Sequence, residues 1–140
     1  MPVTLDEQGI PAREAAKLQR LFDASLCPME YGLGRDKSLL SVTRFARVNL
    51  RGIDVIRDEG RGQRAGVRKP SHVEAQRCDD FLVCVPHRAE VTLIQSGWQA
   101  HFMPGSFSLL STARPFSALI AAPHPHTSFS HTIVRVARPR

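Results

Sequence analysis

The histidines are the side chains of this sequence whose chemistry is most easily put to use, and there are six: His72, His87, His101, His124, His126 and His131. His124 and His126 form an H-x-H pair, and alternate residues of a strand point to the same side, as two metal ligands must. Both, however, flank prolines in a stretch typical of a turn, and no carboxylate follows Glu90 to complete a ligand set nearby. The sequence therefore predicts no metal site and no cofactor.

Nucleophilic and acid–base catalysis also lack a local pattern. There is no G-x-S-x-G motif, and the serines next to Gly97 and Gly105 belong to predicted turns. The adjacent carboxylates Asp58-Glu59 and Asp79-Asp80 are typical of loop and turn positions. Because no segment gathers an acid, a base and an oxyanion donor, we predict that the protein is not an enzyme.

The chain is strongly basic, with 19 Lys and Arg against 13 Asp and Glu and a formal net charge of +6. Such a balance occurs in proteins that bind nucleic acids. Here the arginines are dispersed from Arg13 to Arg140, neither stacked on one helix face nor interleaved with aromatic residues. We interpret them as a solvated surface, and direct DNA binding by this chain is the less favoured alternative.

Length and composition predict one domain rich in β-structure. A chain of 140 residues with 9 Gly and 10 Pro suits a single turn-rich domain that folds without disulfides. Its three cysteines include no C-x-x-C pair, and Cys84 in the run FLVCV is expected to pack as a small buried hydrophobe. With no long apolar run and no signal-like N-terminus, we predict a cytoplasmic protein without membrane contact.

The clearest elements lie between residues 91 and 116. Alternating apolar residues over 91–95 and 98–102, separated by Gly97, predict two short strands joined by a tight turn. Pro104-Gly105 predicts a second turn, and Arg114-Pro115 closes another short strand. Short strands with such punctuation favour a sandwich or a barrel.

Other segments add a helix and further strands around this meander. Apolar residues at three-and-four spacing, among them Leu18, Leu21 and Phe22, predict a helix over 12–26 whose apolar stripe packs on the β-domain or on a second copy. Strands are predicted over 38–49, 50–57, 80–85, 116–122 and 128–136, and a short strand over 72–77. The polar stretch 58–71 is predicted to be an exposed, mobile connection.

The order of these motifs resembles the ligand-binding and dimerisation domain of AraC-type transcription regulators. The matching positions are Gln95, Gly97, Pro104, Gly105, Thr112, Arg114, Pro115 and Phe116. Trp98 stands where an Arg is common, and Ser106 and Ser111 stand where the family pattern has acidic residues, which we expect to loosen hydrogen bonds that cap the turns. The resemblance implies a mainly β fold, a small cupin-like barrel of the double-stranded β-helix type with an N-terminal helix.

The resemblance also implies a function, that of the effector-sensing and dimerisation domain of such a regulator without its helix-turn-helix half. The expected partners are a small-molecule effector and a second copy in a homodimer, with DNA contacted only through a C-terminal domain that this chain lacks. Residues 11–137 would form the cupin-like domain, between a loose N-terminus over 1–10 and a basic tail over 138–140.

Candidate site residues follow from this expectation. Trp98 and Phe102 on one strand are predicted to wall an effector pocket, with Arg44, His72 and Arg77 as polar partners. Leu18, Leu21 and Phe22 are predicted to form the dimer surface. The alternative functions are a stand-alone cupin-like protein that binds a small molecule and a metal-dependent cupin enzyme, which needs clustered histidines and carboxylates on barrel strands.

Overall fold

The computed structural model describes residues 3–4, 12–32, 42–124 and 127–137. Its strands form two antiparallel sheets. The six-stranded sheet has the order β1 (Val3–Thr4), β3 (Val42–Leu50), β4 (Ile53–Arg61), β11 (Ser128–Ala137), β6 (Asp80–Arg88) and β9 (Ser108–Ser111). The five-stranded sheet has the order β2 (Glu30–Gly32), β5 (Gln63–Arg68), β10 (Phe116–Ala121), β7 (Glu90–Gln95) and β8 (Trp98–Phe102). Two helices, α1 (Ala12–Ser25) and α2 (Pro70–Ala75), complete the described elements.

The core lies between the inner faces of the two sheets, because alternate residues of β4, β5, β6 and β7 are buried. On β4, Asp54, Ile56, Asp58 and Gly60 are buried while the residues between them are more exposed. The buried apolar cluster draws on both sheets and on α1, and includes Phe22, Phe45, Ile56, Leu82, Cys84, Val91, Leu93, Leu110, Phe116 and Ile133. The predicted mainly β fold is therefore confirmed, and Cys84 is buried as expected.

The segment 58–71 is not the exposed, mobile connection that the sequence predicted. It continues β4 to Arg61, turns at Gly62 and enters β5 in the other sheet. Gly62 has a φ of 68°, a conformation that a glycine adopts without strain, and its N–H donates to the carbonyl of Thr127 at 3.2 Å. The prediction was wrong because the buried positions of this segment are charged or glycine, so that its alternation carries no hydrophobic signal.

The predicted strand over 72–77 is also wrong, because α2 occupies Pro70–Ala75. Pro70 stands at the start of this helix, where a missing N–H costs nothing. The imidazole Nδ1 of His72 accepts the Lys69 N–H at 2.9 Å, which satisfies a donor at the helix start. His72 therefore has a capping contact at one end of a short helix.

Helix α1 packs its apolar stripe on the chain's own barrel. Phe22 is 1% exposed and its ring meets that of Phe45 edge-on, with centroids 4.5 Å apart. Leu21 is partly buried against the same core, and the side chain of Leu18 lies outside the described part of the chain. Phe22 is thus a core residue, which contradicts its predicted place on a dimer surface.

The two predicted turns are present. Ser96 and Gly97 both have positive φ, 54° and 82°, as a two-residue hairpin turn requires, and Gly105 has a φ of 94°. Ser106 Oγ accepts the Met103 N–H at 3.1 Å, so the serine in place of an acidic residue still caps its turn. Neither described helix is long and apolar enough to cross a membrane. The predicted basic tail 138–140 lies outside the described residues. So does the predicted loose N-terminus 1–10, apart from β1.

Candidate functional site

Three ionisable side chains meet inside the barrel: Asp58 of β4, Arg64 of β5 and His131 of β11. Their side chains are 2%, 2% and 1% exposed. Oδ2 of Asp58 accepts hydrogen bonds from Nη2 of Arg64 and from Nε2 of His131, the latter at 2.7 Å. The cluster therefore joins the two sheets, since β5 belongs to one and β4 and β11 belong to the other.

Strand register explains why these residues meet. Asp58 and His131 are direct cross-strand partners on β4 and β11, and both point inward because Ile56 and Ile133, two residues away on each strand, are also buried. Arg64 arrives from the strand that follows the corner at Gly62. Its guanidinium carbon lies 5.0 Å from the centroid of the Phe22 ring and 5.1 Å from that of Phe129, so two aromatic faces hold it in place.

The carboxyl group of Asp58 is ionised at neutral pH. Burial by itself raises the pKa of such a group, but here the charge of Arg64 and the His131 ring outweigh it and hold the pKa of Asp58 well below its usual range. Because an ionised carboxylate can only accept, Nε2 of His131 is the donor in their hydrogen bond. In the neutral imidazole, Nδ1 is then left as an acceptor.

Each member of the cluster keeps one polar atom without a hydrogen-bond partner among the described residues. These atoms are Oδ1 of Asp58, Nη1 of Arg64 and Nδ1 of His131. Buried polar atoms of native proteins are normally paired, and an unpaired one costs about 1–3 kcal/mol. Three such atoms in one cluster give it hydrogen-bond donor and acceptor capacity that no described residue uses.

A small cavity adjoins the cluster. It has a volume of about 50 Å³, and its lining includes all three residues together with apolar side chains such as Phe22, Leu26, Met29 and Phe116. The space suits on the order of three water molecules or a ligand of a few non-hydrogen atoms. A larger ligand requires movement of the wall, of which Leu26 and Met29, directly after α1, form one part.

The barrel interior is poorly suited to a metal ion. Among the described residues, no group of three or more His, Cys, Asp and Glu side chains is placed to hold one. His131 and Asp58 come together, but the third member of their cluster is the cation Arg64, which repels a metal ion and already occupies a carboxylate oxygen. His124 of the H-x-H pair is exposed, and His126 lies outside the described residues.

The structure does not bring the predicted pocket residues together. Trp98 is 47% exposed at the start of the edge strand β8, whereas Phe102, at the end of that strand, packs against the core. Arg44 is exposed on β3, and His72 lies in α2. Arg77 is exposed in a surface groove of about 630 Å³ that it shares with Glu74, Asp79 and Asp80. None of the five lines the barrel cavity.

The residues that do line it, Asp58, Arg64 and His131, were not predicted as pocket residues from the sequence. A usable signal was that Asp54, Asp58, Arg64 and Arg68 are separated by even numbers of residues, as residues on one face of a strand are, in a stretch that begins within the predicted strand 50–57. For His131, the signal was its place between Phe129 and Ile133 in an alternating strand. When only hydrophobic residues are used to identify the inward face of a strand, a charged residue at an inward position is overlooked.

Several residues of the predicted motif hold the barrel together. The side-chain amide of Gln95 pairs with the backbone of Ser111, donating to its carbonyl at 2.8 Å and accepting its N–H at 3.2 Å. Thr112 is fully buried, and its hydroxyl accepts the Asp80 N–H at 2.9 Å. Ser111 Oγ accepts the Ala113 N–H at 3.2 Å, so this serine also keeps a turn-capping bond.

Solved structures of other proteins have a similar architecture. The crystal structure of the AraC-like transcriptional activator CuxR superposes with a TM-score of 0.72 at 11% sequence identity, covering 98% of this chain and 46% of that chain. The chain has a cupin-like fold, which it shares with this activator. The predicted cupin-like barrel with an N-terminal helix is thereby confirmed, and the chain spans about half the length of CuxR. No protein-family model matches the sequence, and no curated protein matches it.

Two further solved structures share the cupin fold. One is the cupin domain of an XRE family transcriptional regulator from Enterobacter cloacae, with a TM-score of 0.50 and 9% identity over 69% of this chain and 96% of that chain. The other is an HTH_3 family transcriptional regulator from Vibrio cholerae, with a TM-score of 0.54 and 10% identity over 89% of this chain and 62% of that chain. At such identities the likeness establishes the fold.

Proposed function

We propose that this chain is the effector-sensing domain of a cytoplasmic transcription regulator, that it binds a small molecule inside its barrel, and that it acts as a homodimer. The observation that carries the proposal is the buried cluster of Asp58, Arg64 and His131, in which three polar atoms beside a cavity have no partner among the described residues. The shared fold with proteins described as transcription regulators supports the regulatory role. DNA would be contacted by a domain outside this chain.

The unpaired atoms define the ligand chemistry. Nη1 of Arg64 needs an acceptor and Oδ1 of Asp58 needs a donor, while Nδ1 of His131 accepts in the neutral ring and donates in the charged one. Hydroxyl groups supply both, because each can donate and accept. The effector is thus a small hydroxylated molecule, a polyol or a hydroxy acid, whose carbon atoms face the apolar part of the cavity wall.

Ligand binding also affects parts of the protein outside the cavity. Leu26 and Met29 follow α1 and line the cavity, so a ligand larger than about 50 Å³ displaces the segment that carries them. Arg135 of β11 donates to the carbonyls of Ala24 and Leu26, at 3.0 and 3.4 Å, and thereby ties the end of α1 to the central strand. The ligand therefore shifts α1 against the barrel, which supplies the differential contacts that allosteric coupling requires.

Isothermal titration calorimetry with a panel of small polyols and hydroxy acids tests the proposal. His131→Phe keeps the bulk of the side chain and removes its polar atoms, and it should weaken binding at least tenfold, about 1.4 kcal/mol. His124→Phe, at an exposed histidine, is the matched control and should bind as the wild type does. A ligand that binds both variants equally would place the effector site elsewhere, and no binding across the panel would contradict the ligand class.

Catalysis is not part of the proposal. The alternative of a metal-dependent cupin enzyme requires several neutral or anionic ligands around one point, whereas the side chain that joins Asp58 and His131 in this cluster is the cation Arg64. The alternative of a stand-alone binding protein shares the same cavity chemistry. It differs only in lacking an attached DNA-binding domain. The calorimetric test has the same expected result for both alternatives.

A further inference from the structure

The outer face of the six-stranded sheet carries two continuous apolar rows, here called the valine face. In the first row each residue is the direct cross-strand partner of the next: Val48, Val55, Val134, Val83 and Leu109. The second row runs parallel to it through Leu50, Ile53, Val136 and Phe81. These residues point outward, because their neighbours along each strand, such as Ile56, Ile133 and Leu82, are buried in the core.

This face is open to solvent in the single chain. Val48 is 56% exposed, Leu50 57% and Leu109 52%, on both flanks of the sheet. Valines 55, 83 and 134 are half-buried, since each is shaded by apolar neighbours on the adjacent strands. Nine apolar side chains in two rows, with no charged residue among them, form a contiguous patch of the kind that marks an interaction site.

The other sheet provides an internal comparison. The corresponding row on its outer face runs through Gln99, Ile94, Ser117, Val67 and Glu30, and the next row runs through His101, Thr92, Leu119 and Ala65. Polar and apolar residues are mixed in both rows, as on a sheet face that meets water. The same chain therefore shows two different outer faces, and only the valine face has the composition of a covered surface.

We propose that two copies of this chain meet through their valine faces, packed as the sheets of a β-sandwich are packed. The inference deepens the proposed function, since it rests on the homodimer and names its surface. With Phe22 buried inside the barrel, it also replaces the predicted surface on α1.

Charge restricts where two copies of the chain can meet. The chain has a formal net charge of +6, so two copies repel each other over most of their surfaces. The valine face is free of charge, and juxtaposing it with itself buries no ion and sets no like charges directly opposite. An apolar sheet face can also pack against its own twofold copy, with Val134 of β11, the middle strand of the first row, near the axis.

The area of the valine face also fits an interface between two copies. Four strand spacings of roughly 4.8 Å and two rows roughly 7 Å apart give a patch on the order of 350 Å² once side-chain width is included. A standard interface buries about 800 Å² per partner, with an apolar core and a polar rim. The valine face is the size of such a core, and the polar residues beside it, including Arg57 and Glu59 at 3.4 Å from each other, are available as its rim.

Sedimentation velocity of the full 140-residue chain, from about 1 to about 200 μM and without effector, tests the inference. Val48→Lys and Leu109→Lys place a charge at exposed positions on opposite flanks of the face, so failure of one variant to fold leaves the other informative. Leu119→Lys, 39% exposed on the outer face of the other sheet, is the matched control. Far-UV circular dichroism and thermal melts establish which variants are folded.

The expected result is a concentration-dependent dimer whose dissociation constant rises at least tenfold in Val48→Lys and in Leu109→Lys and is unchanged in Leu119→Lys. A wild-type chain that stays monomeric throughout overturns both the valine-face inference and the homodimer of the proposed function. A dimer that tolerates both valine-face charges overturns the inference alone. Loss of effector binding in His131→Phe is measured separately and bears on the ligand site, not on this face.

Discussion

His131 and Asp58 stand directly opposite each other on adjacent antiparallel strands, and Nε2 of the imidazole lies 2.7 Å from Oδ2 of the carboxylate. This pairing uses one oxygen of Asp58 and one nitrogen of His131. Arg64 donates to the same carboxylate oxygen from the opposite sheet. Because both contacts converge on one oxygen, Oδ1 of Asp58, Nη1 of Arg64 and Nδ1 of His131 are left without a hydrogen-bond partner among the described residues. The barrel thus holds a polar centre within an apolar wall.

Removing one member of this cluster should be costly. Arg64→Met leaves the carboxylate of Asp58 buried without its cation, and we expect the free energy of unfolding to fall by about 3–5 kcal/mol. The double variant Asp58→Asn, Arg64→Met should regain part of that loss, because no uncompensated charge remains. Urea denaturation followed by circular dichroism measures both.

Arg57→Met is the control for this prediction. Arg57 pairs with Glu59 at 3.4 Å on the outer face and is 43% exposed, so its loss should cost no more than about 1 kcal/mol. Equal effects of Arg64→Met and Arg57→Met would mean that the buried pair does not stabilise the barrel.

Acid should destabilise the protein through its buried carboxylates. Arg64 and His131 outweigh burial at Asp58, and hydrogen bonds from Asn49, Arg47 and Arg135 outweigh it at Asp54, so the pKa of each carboxyl is lowered in the folded state. The unfolded chain therefore binds more protons, and stability falls with decreasing pH.

The stabilisation is fully present above the unfolded pKa of about 4 and is lost as the pH falls toward the folded values. Urea denaturation between about pH 6 and about pH 3 should show this decline. Asp54→Asn should make the decline shallower. A stability that is flat over this range, or an equally steep decline in the variant, would contradict the assignment.

The hairpin turn between β7 and β8 can be improved. Ser96 has a φ of 54°, which costs a serine more than it costs an asparagine, and Gly97 follows it with a φ of 82°. Ser96→Asn should raise the free energy of unfolding by a few tenths to about 1 kcal/mol. Gly97→Ala should lower it by about 1 kcal/mol, although nothing lies within 4 Å of the added methyl, because the strain is in the backbone. Thermal melts of both variants test this prediction. A shift of the melting temperature in the same direction for both variants would refute the turn assignment.

The three thiols should differ in reactivity. Burial raises the pKa of Cys27 to about 12 and that of Cys84 to about 11, so neither forms appreciable thiolate at neutral pH. Cys78 is only partly buried. Alkylation of the native protein near pH 7.5, followed by mass spectrometry, should label Cys78 first, and the other two only after denaturant is added. Early labelling of Cys84 would show that the core opens easily at β6.

Local sequence patterns were sufficient to predict much of this fold. Alternating residues around Gly97, the Pro104-Gly105 turn and the amphipathic helix containing Phe22 are determined by neighbouring residues. Backbone conformation and side-chain periodicity are local properties, and the structure has these elements where the sequence predicted them. The order of the same motifs also sufficed for the resemblance to an AraC-type domain, whose fold the structure shares.

Only the tertiary structure decided where the charges lie. Asp58 and His131 are 73 residues apart in sequence, and Arg68 donates at 2.8 Å to the carbonyl of Thr112, 44 residues away. A charged residue can occupy an inward position only when distant strands bring it partners that offset the loss of water. Those partners are set by strand order and register, which the sequence around a single residue does not contain. The segment 58–71 therefore looked like a solvated loop, although it forms part of the centre of the barrel.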